Sequence, residues 1–342
     1  MANRVSASQI AQRSGVSVPA VYLALGGRGR LGKATRQRIL SVAGELRYRP
    51  NAAARAVRAG RFGGIALLGG FDGNASAISH RIVTAVERET ARRNLQLSFA
   101  LMRDEELTSR ERVPKILREL AVDGLLINYI ADVPPVMEHL IDESGLPAVW
   151  VNRKMEHDCI YADDEAGARA GTQRLVALGH RRIAFLRIGQ SHHYSQTDRR
   201  AGYEQAMQEA GLGPRVLMSD EFATKAERSA WLRSWLTLPD RPTAVIAYER
   251  TEGTALLWEA MRLGLSVPED LSIVCIGEGR DTGLGVDLSM MRLPQYQIGR
   301  EAVALVEEKI GRPRRRLAPR VVALEWVEGE TCGRPTAERS TR

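Results

Sequence analysis

Near the N-terminus, several residues have the types and spacing of two short helices joined by a tight turn. Ser6 and Gln9 have the S-x-x-Q spacing of a capping box, so a short helix is expected to begin there. Gly15 follows at a position suited to a left-handed turn, and Ser17 is placed to cap a second helix. Pro19 falls in the first turn of that helix, where its missing N–H is tolerated. Two such helices form a helix-turn-helix, whose second helix enters the major groove of DNA.

Charge bears on whether this hairpin binds DNA or only fills a small core, since the spacing alone allows both readings. Residues 1–62 hold twelve Lys and Arg and one acidic residue, Glu45, for a net charge of +11. The whole chain carries +8, so residues 63–342 sum to −3. Positive charge segregated in this way is typical of a surface that binds phosphates.

The length and composition exclude several classes of protein. The chain has 342 residues, of which 44% are hydrophobic, enough for more than one sizeable core. The sequence has no apolar stretch of about 18 residues, so no transmembrane helix is predicted. The N-terminus lacks the apolar core of a signal peptide. Cys159, Cys275 and Cys332 are few, odd in number and far apart, so we expect reduced thiols in a cytoplasmic protein. We expect no metal and no cofactor.

After residue 63, short apolar segments alternate with helical ones. The predicted strands are 64–68, 95–101, 124–127, 148–151, 183–186, 244–247, 271–276 and 321–327. The predicted helices are 78–93, 112–120, 133–144, 164–178, 199–210, 225–237, 252–263 and 298–310. This alternation predicts two consecutive lobes of parallel sheet with helices on both faces, and the last helix is expected to cross back. Ligands of such sheets lie beyond the carboxyl ends of the strands.

Two sets of residues carry a family resemblance. The first comprises Ile10-Ala11, Gly15-Val16-Ser17, Val21, Ala24-Leu25, Thr35-Arg36, Leu46, Tyr48, Pro50-Asn51 and Ala54-Arg55. The second comprises residues 123–129, 179–185, Arg199-x-x-Gly202-Tyr203, Pro242-Thr243-Ala244 and residues 267–274. Together they resemble the lactose-repressor/galactose-repressor (LacI/GalR) family of bacterial transcription regulators. The second set resembles its effector domain, which shares the fold of periplasmic sugar-binding proteins.

The resemblance implies an α/β chain in four parts. These are a three-helix helix-turn-helix domain at 1–50, a hinge helix and linker at 51–62, a two-lobed effector-binding and dimerisation domain at 63–332, and a disordered tail at 333–342. It implies a repressor without enzymatic activity that binds a pseudo-palindromic operator as a homodimer and responds to a small-molecule effector. A periplasmic binding protein would need a signal peptide and would not need residues 1–60. An enzyme stays open, because an α/β cleft can hide a catalytic set.

The implied DNA contacts of the first domain are unusually apolar. They fall on Ser6, Ser17, Val18, Pro19, Ala20, Tyr22, Leu23 and Arg30. The family usually has Thr, Ser and Arg where this chain has Ala20, Tyr22 and Leu23. Apolar side chains can contact a thymine methyl group, and the Tyr22 hydroxyl can reach a phosphate. The alternative is a module that has lost DNA binding, against which the retained charge and caps argue.

Residues 51–59, NAAARAVRA, are Ala-rich and too few for a stable isolated helix. They are either a flexible linker or, as the resemblance implies, a hinge helix that orders when two copies meet in the minor groove. Its implied DNA contacts are Asn51, Ala54, Arg55, Val57 and Arg58. Val57 stands where the family inserts a leucine between base pairs, so a weaker kink is expected.

The implied effector contacts depart from the family's usual acids. They are Asn128, Asn152, Arg199, Phe222, Glu249, Arg250 and Gly277. An Asn-Asp pair is usual where this chain has Glu249 and Arg250, and an Asp is usual at Gly277. Carboxylates hold neutral sugars, whereas paired arginines favour an anion, so we expect an anionic sugar derivative. A solvated helix start is the alternative role for Arg250.

Overall fold

The computed structural model describes residues 5–26, 30–49, 60–70, 78–102, 122–129, 133, 135–189, 193–220 and 222–336. The chain divides into two compact units, Met1–Phe62 and Gly63–Arg342. The predicted hinge at 51–59 and the predicted helix at 112–120 lie outside the described residues. Within the described ranges, no helix has the length and apolar character needed to cross a membrane.

The described part of the first unit has three helices around a small apolar core. They are α1 (Ala7–Ser14), α2 (Val18–Leu25) and α3 (Lys33–Glu45). Each helix contributes one fully buried side chain to this core, namely Ile10, Val21 and Ile39. The third helix therefore packs against the first two and fixes the angle of the hairpin.

The second unit contains two six-stranded sheets flanked by helices. Its strands are β1 (Gly64–Gly70), β2 (Gln96–Met102), β3 (Gly124–Asn128), β4 (Ala148–Val151), β5 (Cys159–Ala162), β6 (Ile183–Ile188), β7 (Arg215–Ser219), β8 (Ala244–Ala247), β9 (Ser272–Gly277), β10 (Ser289–Arg292), β11 (Arg320–Val322) and β12 (Glu325–Val327). Its helices are α4 (His80–Arg92), α5 (Pro135–Ser144), α6 (Asp164–Ala177), α7 (Ser195–Glu209), α8 (Lys225–Leu236), α9 (Arg250–Arg262) and α10 (Gln295–Gly311).

The two sheets define two lobes. The first lobe has strand order β11-β5-β4-β3-β1-β2, with every pairing parallel. The second lobe has order β12-β10-β9-β8-β6-β7 and is parallel except for β12, which runs antiparallel to β10. The prediction of two parallel, helix-flanked lobes is confirmed. Helix α10 packs on α4 and on β3, β4 and β5, so it returns to the first lobe as expected.

Short polar side chains begin the helices that border the second sheet. Asp163 accepts a hydrogen bond from the N–H of Ala166 at 3.2 Å where α6 begins. Thr224 accepts one from the N–H of Glu227 at 3.2 Å where α8 begins. These caps satisfy N–H groups that have no partner within the first turn. The caps fix the residue at which each helix begins, and therefore which side chains of the helix lie beside the second sheet.

The prediction of a single last strand at 321–327 is wrong. Residues 320–322 pair with β5 in the first lobe, whereas 325–327 pair with β10 in the second. Leu324, between them, packs against the hydrophobic cores of both lobes, so the segment is a crossing between sheets. An apolar run shows that residues are buried, but it does not show in which sheet.

Two further differences concern short segments. Strands β5, β7 and β10 have only four or five residues each and were not predicted from periodicity. In the expected tail, the carbonyl of Gly333 accepts a hydrogen bond from His180 at 3.0 Å, and the N–H of Thr336 donates to the carbonyl of Glu269. Residues 333–336 are therefore held on the second lobe, and the remainder of the expected tail lies outside the described residues.

Helices α6 and α7 approach closely at Gly202, and this contact yields a test of the packing. A Cβ atom at Gly202 would lie 2.0 Å from the carbonyl oxygen of Glu165. We expect Gly202→Ala to lower the free energy of unfolding by about 2 kcal/mol or more, because the helices must separate. Urea denaturation would measure it. Gly213→Ala, whose Cβ would meet nothing within 4 Å, is the control. Equal losses in both variants would contradict close packing at Gly202.

Candidate DNA-binding surface and ligand cleft

The turn between α1 and α2 has the geometry of a helix-turn-helix. Ser6 and Gln9 form a capping box in which the N–H of Ser6 donates to Gln9 Oε1 at 2.7 Å. Gly15 ends α1 with φ +64°, the left-handed conformation that glycine adopts readily. Ser17 Oγ then accepts a hydrogen bond from the N–H of Ala20 at 3.4 Å and begins α2. The caps predicted at both serines are present, and both residues are exposed.

The exposed face of α2 is apolar. Pro19 is exposed, and Leu23, one turn later, has 41% of its surface exposed. Val18 and Tyr22 are half-buried and pack against the small core, and Ala20 is also half-buried. Of the expected recognition residues, Pro19 and Leu23 are therefore the side chains that project most fully from the helix. Neither carries a hydrogen-bonding group that reads a base edge.

Most of the described cations of the first unit are exposed. Arg30, expected to contact DNA, is exposed in the loop before α3. Arg13 lies 3.9 Å from Glu45, the unit's one acidic residue, and both side chains are more than half exposed. The sequence of the unit has twelve basic residues and this single acid, so its net charge stays strongly positive. The expected contacts Asn51, Ala54, Arg55, Val57 and Arg58 lie outside the described residues.

In the second unit, a buried arginine organises the carboxyl edge of the second sheet. Arg199, on α7, is 5% exposed, and its Nε lies 2.6 Å from Asp164 Oδ1 at the start of α6. Its Nη1 donates to the carbonyl of Tyr248, which follows β8, and its guanidinium lies 4.5 Å from the centre of the Tyr248 ring. The expected effector contact Arg199 thus has protein partners at Nε and Nη1.

A second buried ion pair lies against the same tyrosine. Arg187 Nη1, on β6, donates to Glu252 Oε1, on α9, at 2.7 Å, and both side chains are less than a tenth exposed. Glu252 also accepts from the N–H of Ile188 at 2.8 Å. Burial raises the pKa of Glu252 to about 7, although Arg187 and the Ile188 N–H oppose that change. The Arg187 guanidinium lies 4.1 Å from the Tyr248 ring centre.

The lobes meet through polar contacts beside these pairs. His193 Nε2 lies 2.9 Å from the carbonyl oxygen of Asn152, which follows β4 and has φ +57°. His193 Nδ1 lies 2.7 Å from Ser195 Oγ, which lies 2.8 Å from the Tyr248 hydroxyl. Burial lowers the pKa of His193 to about 4, so the ring is neutral at physiological pH. The expected effector residue Asn152 therefore joins the two lobes through its backbone.

Two ion pairs also join the lobes. Lys154 Nζ, after β4, lies 2.8 Å from Asp198 Oδ2 on α7, and its pKa is raised chiefly by that hydrogen bond. Arg81 Nε, on α4, lies 2.5 Å from Glu278 Oε2, directly after β9. Opposite charges on the two lobes stabilise this arrangement of the lobes. A ligand that binds between the lobes must change the same ion pairs if it changes the arrangement.

A cavity of about 360 Å³ opens at the carboxyl ends of β6 and β8. The lining includes the expected residues Phe222 and Glu249 together with four other charged side chains, namely Arg187, Lys225, Arg228 and Glu252. Phe222 is half-buried, with its ring 5.6 Å from that of Trp231. The Thr251 hydroxyl donates to Glu249 Oε1 at 2.8 Å. The cavity therefore combines an aromatic wall with mixed charge.

Three other expected effector residues lie apart from this cavity. Arg250 is half-buried at the start of α9, and its Nη1 donates to the carbonyl of Asp281 at 3.3 Å, so it does not join Arg199. Gly277 lies beside Arg250, since a Cβ atom placed on Gly277 would be 3.5 Å from the backbone nitrogen of Arg250. Asn128 ends β3 in the first lobe and is 1% exposed. Within the part of the chain that the structure describes, neither Asn128 Oδ1 nor Nδ2 has a hydrogen-bond partner.

The buried partners of the two arginines were not predicted from the sequence. Asp164 and Glu252 each lie in the first turn of a helix, where an acid is ordinarily explained by the helix dipole. Arg187 interrupts an apolar strand, Ile183–Ile188, and that interruption was the one signal available. A charged residue inside a buried strand requires an opposite charge nearby. The described residues contain no group of His, Cys, Asp and Glu that could hold a metal ion.

Comparisons relate this geometry to known proteins. A family model described as a periplasmic binding protein-like domain matches residues 172–332. The HTH-type transcriptional regulator RafR of Escherichia coli is 29% identical over 318 residues, which cover 90% of this chain and 92% of RafR. The crystal structure of the Lac repressor dimer bound to operator and the anti-inducer ONPF has a TM-score of 0.76 at 20% identity, over 96% of this chain and 99% of that one, a likeness of fold alone. The transcriptional regulator CelR–cellobiose complex has a TM-score of 0.63 at 25% identity, over 96% and 100%.

The neutral His193 ring predicts a pH dependence of stability. Its pKa is lowered from 6.5 to about 4 by burial, so between these values the unfolded chain binds the proton and the folded chain does not. The free energy of unfolding should fall as pH falls through this window, by up to about 3 kcal/mol. Urea unfolding at pH 7, 6, 5 and 4 would measure this.

The comparison variant for that experiment is His193→Gln, which cannot take up the proton. Its stability relative to the unaltered chain should therefore improve as the pH is lowered. His139→Gln is the matched control, because His139 is exposed on α5. The prediction fails if the stability of His193→Gln relative to the unaltered chain stays constant with pH, as that of His139→Gln should. His193 would then titrate as a solvated histidine.

Proposed function

Since this chain belongs to the LacI family of transcriptional regulators, we propose that it binds a pseudo-palindromic operator as a homodimer and that a small molecule controls this binding. The DNA-binding part is the helix-turn-helix of residues 1–50, and the ligand binds at the carboxyl ends of the strands in the two-lobed domain. We further propose that it represses transcription in the cytoplasm, where reduced thiols such as Cys159 and Cys275 persist.

One observation carries the DNA-binding part of this proposal. The capped helix-turn-helix lies in a unit with a net charge of +11, while the rest of the chain is net negative. Its exposed recognition face offers Pro19 and Leu23, which supply contact without base-specific hydrogen bonds. Phosphate contacts then give affinity, and thymine methyl contacts and DNA shape give specificity.

The hinge supplies the remaining DNA contacts in this proposal. By family resemblance, residues 51–59 contact the minor groove in this proposal, with Arg55 and Arg58 near phosphates. Asn51, Ala54 and Val57 belong to the same proposed contact, with Val57 at the central base step. This part of the proposal rests on composition and on family resemblance.

Exposed apolar side chains support the homodimer. Phe99 and Leu101 project from β2, the edge strand of the first sheet, and are 51% and 55% exposed. Trp258 and Met261 lie one turn apart on α9 and are 48% and 47% exposed. Grouped apolar side chains of this size mark interaction surfaces. A two-fold symmetric operator requires two copies of the DNA-binding unit.

The effector part of the proposal rests on the cleft. A solved structure shows the regulator CelR in complex with cellobiose, and by analogy we propose that this chain holds a sugar or sugar-derived molecule. Asn128 supports a ligand, because a buried amide without partners is costly unless something else satisfies it. The ligand acts by binding one arrangement of the lobes better than the other, which changes the population able to bind DNA.

Selection of DNA from a fragmented genome by the purified full chain tests the proposed function. Binding should enrich a short, two-fold symmetric motif whose half-sites lie about one helical turn apart. The reason is that two identical recognition helices read the two halves. The absence of any enriched symmetric motif would contradict operator binding.

The segregated charge predicts a steep dependence of DNA affinity on salt. We expect six or more phosphates to be neutralised per dimer, so the slope of log K against log salt should be about −5 or steeper. Fluorescence anisotropy with a labelled operator at several potassium chloride concentrations would measure it. A slope near zero would mean that residues 1–62 do not bind the DNA backbone.

The exposed strand β2 predicts a dimer that charge can disrupt. Phe99→Glu should shift sedimentation toward monomer and weaken operator binding about 100-fold, because the two DNA-binding units lose their effective concentration for each other. Leu238→Glu alters a comparably exposed leucine, 42% exposed after α8, and serves as the control. An unchanged sedimentation coefficient for Phe99→Glu would exclude β2 from the dimer contact.

A further inference from the structure

We infer that the cavity at the carboxyl ends of β6 and β8 binds a small ligand with an anionic group, a carboxylate or a phosphate, through Arg187, Lys225 and Arg228. The inference deepens the proposed function, because it names the chemical class of the effector. It rests on side chains that sequence analysis did not connect with ligand binding. The pair expected to hold an anion, Arg199 and Arg250, has partners elsewhere.

Two cations of the cavity have no carboxylate partner. Lys225 and Arg228 lie in the first turn of α8, one exposed and one half-buried, and both line the cavity. Among the described residues, neither forms an ion pair. The N–H groups at the start of α8 add positive potential on the same side. An exposed cation can be solvated, but two beside a cavity attract an anion.

The third cation supplies the buried observation. Arg187 lines the cavity, and its side chain is 8% exposed. Its Nη1 donates to Glu252 and to the carbonyl of Ile188, but its Nε is buried and finds no hydrogen-bond partner among the described residues. A buried guanidinium N–H without an acceptor is costly, and a ligand oxygen would satisfy it.

The two acids that line the cavity do not cancel these cations. Glu252 accepts from Arg187 and from two backbone N–H groups, and burial raises its pKa to about 7. Glu249 is exposed and accepts from the Thr251 hydroxyl. Among the described lining residues, three cations therefore face two carboxylates, an excess of positive charge.

Size and wall chemistry limit the rest of the ligand. The volume of about 360 Å³ lies at the small end of ligand sites, which span roughly 300–1,000 Å³. Phe222 offers an aromatic face suited to the apolar side of a sugar ring, and Glu249 can accept a hydroxyl proton. The cavity therefore fits a monosaccharide that carries one acidic substituent, such as a sugar acid or a sugar phosphate.

Isothermal titration of the full-length protein tests this inference with four probes: inorganic phosphate, glucose 6-phosphate, glucuronate and glucose. At least one anionic probe should bind at least tenfold more tightly than glucose, because charge-assisted hydrogen bonds are stronger than neutral ones. The glucuronate and glucose 6-phosphate arms distinguish a carboxylate from a phosphate. Glucose binding as tightly as both anionic sugars would overturn the inference, as would the absence of binding by all four probes.

A pair of double variants locates the binding. Lys225→Gln/Arg228→Gln should weaken the anionic probe at least tenfold, and both positions lie at the surface, so the fold is retained. Arg314→Gln/Arg316→Gln removes the same charge from an exposed loop and should leave binding unchanged. Equal weakening in both double variants would show a general charge effect and overturn the inference.

DNA selection by the same proteins without any probe separates the two proposals. If the unaltered chain selects no symmetric DNA motif, the proposed function fails. If it selects DNA but no anionic probe binds, only the effector class fails.

Discussion

The burial of two arginines beside one tyrosine is the constraint on which the ligand-binding edge depends. Arg199 pairs with Asp164, and Arg187 pairs with Glu252, with both guanidinium groups within 4.5 Å of the Tyr248 ring centre. An unpaired charge in such a place is prohibitively costly, so each pair must form whenever this edge folds. The pairs thereby fix the starts of α6 and α9 against β6 and β8.

This anchored edge links the ligand cavity to the contact between the lobes. Tyr248 contacts both arginines, and its hydroxyl leads through Ser195 and His193 to the backbone of Asn152 in the first lobe. Lys154 and Asp198 add an ion pair across the same boundary. A ligand that alters Arg187 therefore acts on groups a few contacts from the lobe boundary. Such a chain of contacts is a physical route, and coupling along it requires two lobe arrangements with different ligand affinities.

The sequence predicted what local rules determine and missed what depends on distant partners. Capping at Ser6 and Ser17 and the strand at 148–151 follow from neighbouring residues, and the structure agrees. The last strand was misassigned because burial does not reveal which sheet accepts a segment. Arg187 and Glu252 lie 65 residues apart, so neither residue indicates the other locally. The direction of Arg250 depends on the loop at Asp281, which periodicity does not describe.

The central claim is that ligand binding in the cleft and DNA binding are one linked equilibrium. The most direct measurement is titration of an anionic sugar, glucose 6-phosphate or glucuronate, into the free protein and into the protein saturated with its selected operator. Thermodynamic linkage predicts dissociation constants that differ by about fivefold or more, with operator affinity changed by the same factor when the ligand is saturating. Identical dissociation constants for the free and the operator-bound protein would contradict the claim.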